Sequence, residues 1–160
     1  MARPGAAWAK ATDGIAAAVD KAAKEYVEQH GLEEIGTIFG QGVTTKGIKL
    51  KVGQPDRTLD IQRLEAVRKH LGDSVAIMVD ANQQWDRPTA QRMCRTFEAF
   101  NLVWIEEPLD AYDHEGHAEL ARQFDTPIAT GEMLTSAAEH GDLIRHRAAD
   151  YLMPDAPRVG

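Results

Sequence analysis

The sequence is poor in several things that would have signalled particular classes of protein. Of its 160 residues one is cysteine, Cys94, and 6% are aromatic. A single thiol excludes an intramolecular disulfide framework and any zinc site built on paired cysteines, and it fits a reducing compartment. Positive charge is also scarce. Eighteen Lys and Arg face 25 Asp and Glu, a formal net charge of −7, which argues against a nucleic-acid partner. No stretch approaches the roughly 20 consecutive apolar residues that cross a bilayer. Lys10 and Asp13 interrupt the opening segment where a secretory signal needs an unbroken apolar run. The expectation is a soluble cytoplasmic chain with no membrane partner. What is present suffices for a packed core: 43% of residues are hydrophobic and 27% charged, ordinary proportions for one globular domain.

Two regions differ in pattern. Residues 1–46 read as a helical and irregular segment: Trp8, Ile15, Val19 and Tyr26 mark a helical stripe between Ala6 and His30, Gly31 stands where a C-cap glycine would, and four glycines follow between Gly36 and Gly47. Gly40-Gln41-Gly42 with Lys46 meets neither the Walker nor the dinucleotide spacing, and reads as a connector. From Gly47 the pattern becomes regular. Ile48–Val52 is a short strand, Gly53–Asp56 a turn, and Ile61, Leu64, Val67 and Leu71 form one face of a helix that stops at Gly72. Val75–Val79 repeats the strand; Asp86 caps the next helix, Pro88 sits in its first turn, and Met93, Phe97 and Phe100 form its buried face. Strands at Leu102–Ile105, Pro127–Ala129 and Tyr151–Met153 alternate with helices at His114–Phe124 and Ser136–His146. Such alternation predicts parallel βα units with right-handed crossovers, hence an α/β protein.

Each predicted strand ends in a charged residue at its carboxyl end. Lys49 and Lys51 lie on the first, then come Asp80, Glu106, Glu132 and Asp155; from Lys51 onward the separations are 29, 26, 26 and 23 residues, about one βα unit each. Neighbouring parallel strands lie about 4.8 Å apart, and the carboxyl-end rim is where barrel enzymes gather their reactive groups. Taken singly, each acid reads as a helix cap or a solvated side chain. Taken jointly, Asp80, Glu106 and Glu132 would repel one another at short range unless protons or a cation neutralised them. An all-oxygen donor set without His or Cys suits Mg²⁺ better than zinc. Glu107, beside Glu106 and before Pro108, reads as a loop residue supporting the site rather than a ligand.

Lys49 and Lys51 are two apart and so share a strand face. Alone, a Lys-x-Lys reads as an edge or surface feature. Beside convergent acids it reads as a base, because a second ammonium and a nearby metal each push a lysine pKa downward. A base next to a bound cation is equipped to remove the weakly acidic proton beside a carboxylate. Other features carry less. His114 and His117 read as a solvated helix start, Met93, Phe97, Phe100 and Trp104 as packing residues, and Cys94 as a small buried hydrophobe.

The strings Lys49-Leu50-Lys51, Val79-Asp80-Ala81-Asn82, Trp104-Ile105-Glu106-Glu107-Pro108, Thr130-Gly131-Glu132-Met133 and Met153-Pro154-Asp155 resemble, in order, those of the mandelate racemase group of the enolase superfamily. The wording of the last 114 residues is most similar to the acid-sugar dehydratases of that group. The resemblance implies a partial TIM (β/α) barrel in residues 47–160, about five βα units corresponding to strands two to six of the family. It implies Lys51 as the strand-borne base, Lys49 as its pKa-lowering and substrate-contacting neighbour, Asp80, Glu106 and Glu132 as Mg²⁺ ligands, and Asn82 near metal and substrate. Asp155 corresponds to an aspartate that orients a histidine on the following strand, and the sequence contains no such histidine. The implied reaction is dehydration of a hexarate through a metal-stabilised enediolate. Racemisation or epimerisation, or a non-catalytic interaction module, remain the alternatives. Residues 1–46 do not resemble the family's capping domain, and a closed barrel takes about 250 residues. The expectation is therefore an incomplete barrel, weakly active or inactive alone, with exposed edges that suit homo-oligomer formation.

Overall fold

The computed structural model describes residues 47–159. The predicted opening helix, its Gly31 cap and the glycine-rich connector lie outside the described residues. Five parallel strands form one sheet in chain order: β1 (Gly47–Lys51), β2 (Ala76–Asp80), β3 (Ile105–Glu106), β4 (Ile128–Thr130) and β5 (Tyr151–Leu152). Between them run α1 (Arg57–Leu71), α2 (Arg87–Phe97), α3 (His114–Gln123) and α4 (Ala137–His146), and a short α5 (Ala156–Val159) follows β5. This is the expected α/β architecture of consecutive βα units.

Local chemistry starts each long helix where the sequence places it. Asp56 accepts from Thr58 N at 3.0 Å, Asp86 from Thr89 N at 2.8 Å and Asp113 from Gly116 N at 3.0 Å. Ser136 and Glu139 form a reciprocal capping box at α4. Each arrangement satisfies amide donors that a first helical turn otherwise leaves unpaired. The turn after Lys51 depends on Gly53: its φ is 96°, and a Cβ there would stand 2.8 Å from the Ala81 carbonyl oxygen. Only glycine lets the loops after β1 and β2 pass this closely.

Alternation divides the sheet into two faces. Ile77, Val79, Ile105 and Ile128, all fully buried, face the helices and pack with Leu64, Val67, Ala90, Met93, Cys94, Phe97 and Leu120. A smaller cluster of Ala111, Ala118, Leu134, Leu143 and Ala148 lies around α3 and α4. The opposite face carries Lys49, Lys51, Asp80, Trp104 and Glu106.

Several expectations needed correction. The third strand is Ile105–Glu106 rather than Leu102–Ile105, although Val103 N still donates to Ile77 O and Val79 N to Trp104 O. Phe100 belongs not to α2 but to a 3₁₀ turn over Glu98–Phe100, half-buried, with its ring edge-on to Phe97. His117 is not solvated. It is fully buried, with its Nδ1 2.9 Å from the Asp113 carbonyl oxygen, because α3 turns that side inward.

Candidate active site

The register sets the site. Lys51 pairs with Asp80 across β1 and β2, and Asp80 with Glu106 across β2 and β3. Paired positions of parallel strands point to the same face, so one ammonium and two carboxylates stand in a row at the carboxyl rim, with Lys49 one pleat repeat below. Asp80 and Glu106 are buried, at 1% and 0% exposure. Buried carboxylates require a compensating charge. Lys49 supplies it, donating to Glu106 Oε1 at 2.8 Å and Oε2 at 2.9 Å while lying 3.6 Å from Asp80 Oδ2. Lys51 donates to Asp80 Oδ2 and, at 2.8 Å, to Asn82 Oδ1. Asn82 N in turn donates to Asp80 Oδ1 at 2.9 Å.

The structure therefore brings together Lys49, Lys51, Asp80, Asn82 and Glu106. It leaves Glu132 and Asp155 apart. Glu132 follows the end of β4 by two residues and is exposed. Its negative charge reaches Lys49, but it makes no hydrogen bond in the cluster. Asp155 lies beyond β5, where its side chain accepts from Arg158 at 3.1 Å and its carbonyl begins α5. Among the described residues no three His, Cys, Asp or Glu side chains converge as a metal-binding group.

Electrostatics modify one expectation. Burial of Lys49 acts to lower its pKa, but the Glu106 hydrogen bond and the charges of Glu106, Asp80 and Glu132 outweigh burial and hold it above the usual lysine value. The surrounding carboxylates, rather than the neighbouring ammonium, dominate this group. For Glu107, burial pushes the carboxyl upward; a hydrogen bond from Gln83 opposes this, and the charges of Glu132, Asp80 and Glu106 add to it.

Two contributors went unseen in the sequence. Trp104, expected only to pack, donates its indole N–H to Glu106 Oε2 at 3.1 Å, and its ring centroid lies 5.8 Å from that of Tyr151. Period-two alternation from Glu106 was the available signal. Gln83 donates to Glu107 Oε2 at 3.1 Å across 24 residues, a contact no local pattern announces.

The donor set fits a hard cation. Asp80 and Glu106 present buried oxygens from adjacent strands, and Asn82 adds an amide oxygen beside them, with no His or Cys brought into the cluster among the described residues. Positive charge is what these acids call for, and the lysines provide it here.

Parallel βα units with acids and lysines at the carboxyl rim are the arrangement of the (β/α)-barrel class. Residues 18–160 match the family described as Enolase C-terminal domain-like, and the chain belongs to that family. It is 69% identical over 114 residues to L-talarate/galactarate dehydratase of Salmonella typhimurium, covering 71% of this chain and 29% of that protein. A crystal structure of L-talarate dehydratase from Polaromonas sp. JS666, complexed with Mg and L-glucarate, is 89% identical with a TM-score of 0.71, covering 71% of this chain and 32% of that one. A racemase from Streptomyces coelicolor A3(2) with bound magnesium is 33% identical with a TM-score of 0.77, covering 91% of this chain and 37% of that one. The chain thus spans 29% to 37% of the length of these three relatives.

Proposed function

We propose that this chain carries the lysine and acidic half of the site of an Mg²⁺-dependent acid-sugar dehydratase acting on a hexarate such as talarate or galactarate. The observation that carries the reading is the cluster in which Lys49 and Lys51 meet Asp80 and Glu106 at the ends of three consecutive strands. Likeness to dehydratases of talarate and galactarate supports the substrate class.

Asp80 and Glu106 would hold the cation, with Glu132 as the third carboxylate. Bound Mg²⁺ supplies positive charge that stabilises the negative charge left when the proton beside a carboxylate departs. Lys51, on the exposed side of the cluster, reaches toward substrate and takes that proton. It accepts one only as a free amine, so its ion pair with Asp80 has to open first. Lys49 stays protonated against Glu106 and presents a fixed positive charge to the substrate carboxylate. Departure of the β-hydroxyl as water and tautomerisation then give a 2-keto-3-deoxy acid.

Keto-acid formation from L-talarate or galactarate with Mg²⁺ tests the reading. Lys51→Ala is expected to lower turnover by about 10²- to 10⁴-fold. Turnover that persists in the Lys51→Ala, Glu106→Ala double variant would sink the assignment. Likeness to racemases favours a second reading, in which the same proton is removed and returned. Incorporation of deuterium from D₂O at the α-carbon without keto-acid formation would select it.

A further inference from the structure

The loops that leave β2 and β3 carry three non-glycine residues in left-handed backbone: Asn82 at φ 46°, Gln83 at 62° and Glu107 at 41°. Such conformations persist only where surrounding structure enforces them. Each sits within three residues of an acid of the cluster. Asn82 and Gln83 follow Asp80, and Glu107 follows Glu106.

One clamp holds all three. Gln83 N donates to the Glu107 carbonyl oxygen at 2.8 Å, Gln83 Nε2 donates to Glu107 Oε2 at 3.1 Å, and Gln83 Oε1 accepts from Ala111 N at 3.1 Å. Both ends of the Gln83 amide are thus engaged, tying the loop after β2 to the loop after β3 at two points. Glu107 is 2% exposed, so its carboxylate is a fixed internal partner and not a surface acid. On the site side of the clamp, Asn82 receives Lys51 and Glu106 receives Lys49. A shift of either loop moves an acceptor away from its lysine.

We propose that Gln83 and Glu107 are positioning residues: the clamp between them holds the two loops in the turns that aim Asn82 and Glu106 at the lysine pair, and so sets both the lysine environment and the cation affinity of the site. The cation part rests on the function proposed above; the lysine part stands without it. Gln83 and Glu107 touch neither substrate nor metal in this scheme and act through their neighbours.

The test uses the 160-residue chain with its lysines reductively ¹³C-methylated, the Lys51 signal being assigned by its loss in Lys51→Arg. Gln83→Ala and Glu107→Ala are expected to move the Lys51 and Lys49 methyl resonances toward those of solvated lysines. They are also expected to weaken Mn²⁺ binding, read by electron paramagnetic resonance, by about tenfold. The exchange Q83E/E107Q keeps an amide facing a carboxylate and leaves Ala111 N an acceptor, so it is expected to restore both readouts. Lysine resonances unmoved in the alanine variants, with only a lower Tm, would overturn the proposal, as would a swap that fails to restore them while remaining folded by circular dichroism. If the parent chain binds no Mn²⁺, the metal reading of the site falls, and the lysine resonances alone decide the positioning role by the same two outcomes.

Discussion

Two halves of the rim treat their acids in opposite ways. On β1 to β3, Asp80 and Glu106 are buried at strand ends, in register with one another, and neutralised by two lysines. On β4 and β5, Glu132 and Asp155 lie past the strand ends, and β5 itself is open, with Tyr151 48% and Leu152 38% exposed. The difference teaches what makes a carboxylate part of a site. A strand-end position delivers the side chain to the rim, but burial makes its charge consequential and a matched cation fixes its geometry. Glu132 follows its strand end by two residues and has neither burial nor a matched cation.

This contrast can be broken from the first half with the largest effect. Lys49→Met leaves Glu106 buried without its principal partner, and removing one member of a buried ion pair is expected to destabilise by about 3 kcal/mol, read by urea denaturation. Millimolar Mg²⁺ should recover part of that loss. A change near zero would mean the acids are not charged in the fold.

On the other half, Ser136→Ala removes the box that starts α4, and about 1 kcal/mol of stability should go with it in the same assay. The loss should appear as faster amide exchange in α4 while β1 to β3 stay protected.

Acid should separate the halves further. Burial, as the largest influence, holds the His117 pKa below its ordinary value of 6.5, against opposing contributions from Asp113. Because the folded value is depressed, stability is fully present above pH 6.5 and declines as pH falls below it, when the unfolded chain takes up the proton first. His117→Gln should flatten that decline, and an unchanged slope would show that another group carries it. At lower pH, Asp113, held below the ordinary carboxyl value by its Arg87 hydrogen bonds, loses its contribution as pH falls under 3.8.

The smallest effect is expected at Glu132. As an exposed side chain without a hydrogen bond, Glu132→Gln should change stability by no more than about 0.5 kcal/mol, while still weakening Mn²⁺ binding if the residue serves as the third ligand. A large stability loss would erase the distinction between the two halves.

Much of this was legible in the chain. Short apolar runs bounded by turn residues located five strands, and Asp86 with Pro88 located the start of α2, because both signals depend on residues close together in sequence. Lys49, Lys51, Asp80 and Glu106 were likewise visible, since strand alternation and the recurring βα length assign them to one face and one rim. The burial of His117 was not legible, because a helix start reads the same whether or not another helix covers it. Nor were the roles of Trp104 and Gln83, or the partner that Glu107 takes, which are apparent only after packing.

The sequence by itself therefore determined the order of elements, their parallel arrangement and the identity of the charged residues at the rim, because periodicity and capping act over a few residues. Only the tertiary structure decided which of those charges meet. Hydrogen bonds form over about 3 Å, and whether Lys49 finds Glu106 57 residues away, or Glu132 remains in solvent, depends on register and burial that no short stretch of chain contains.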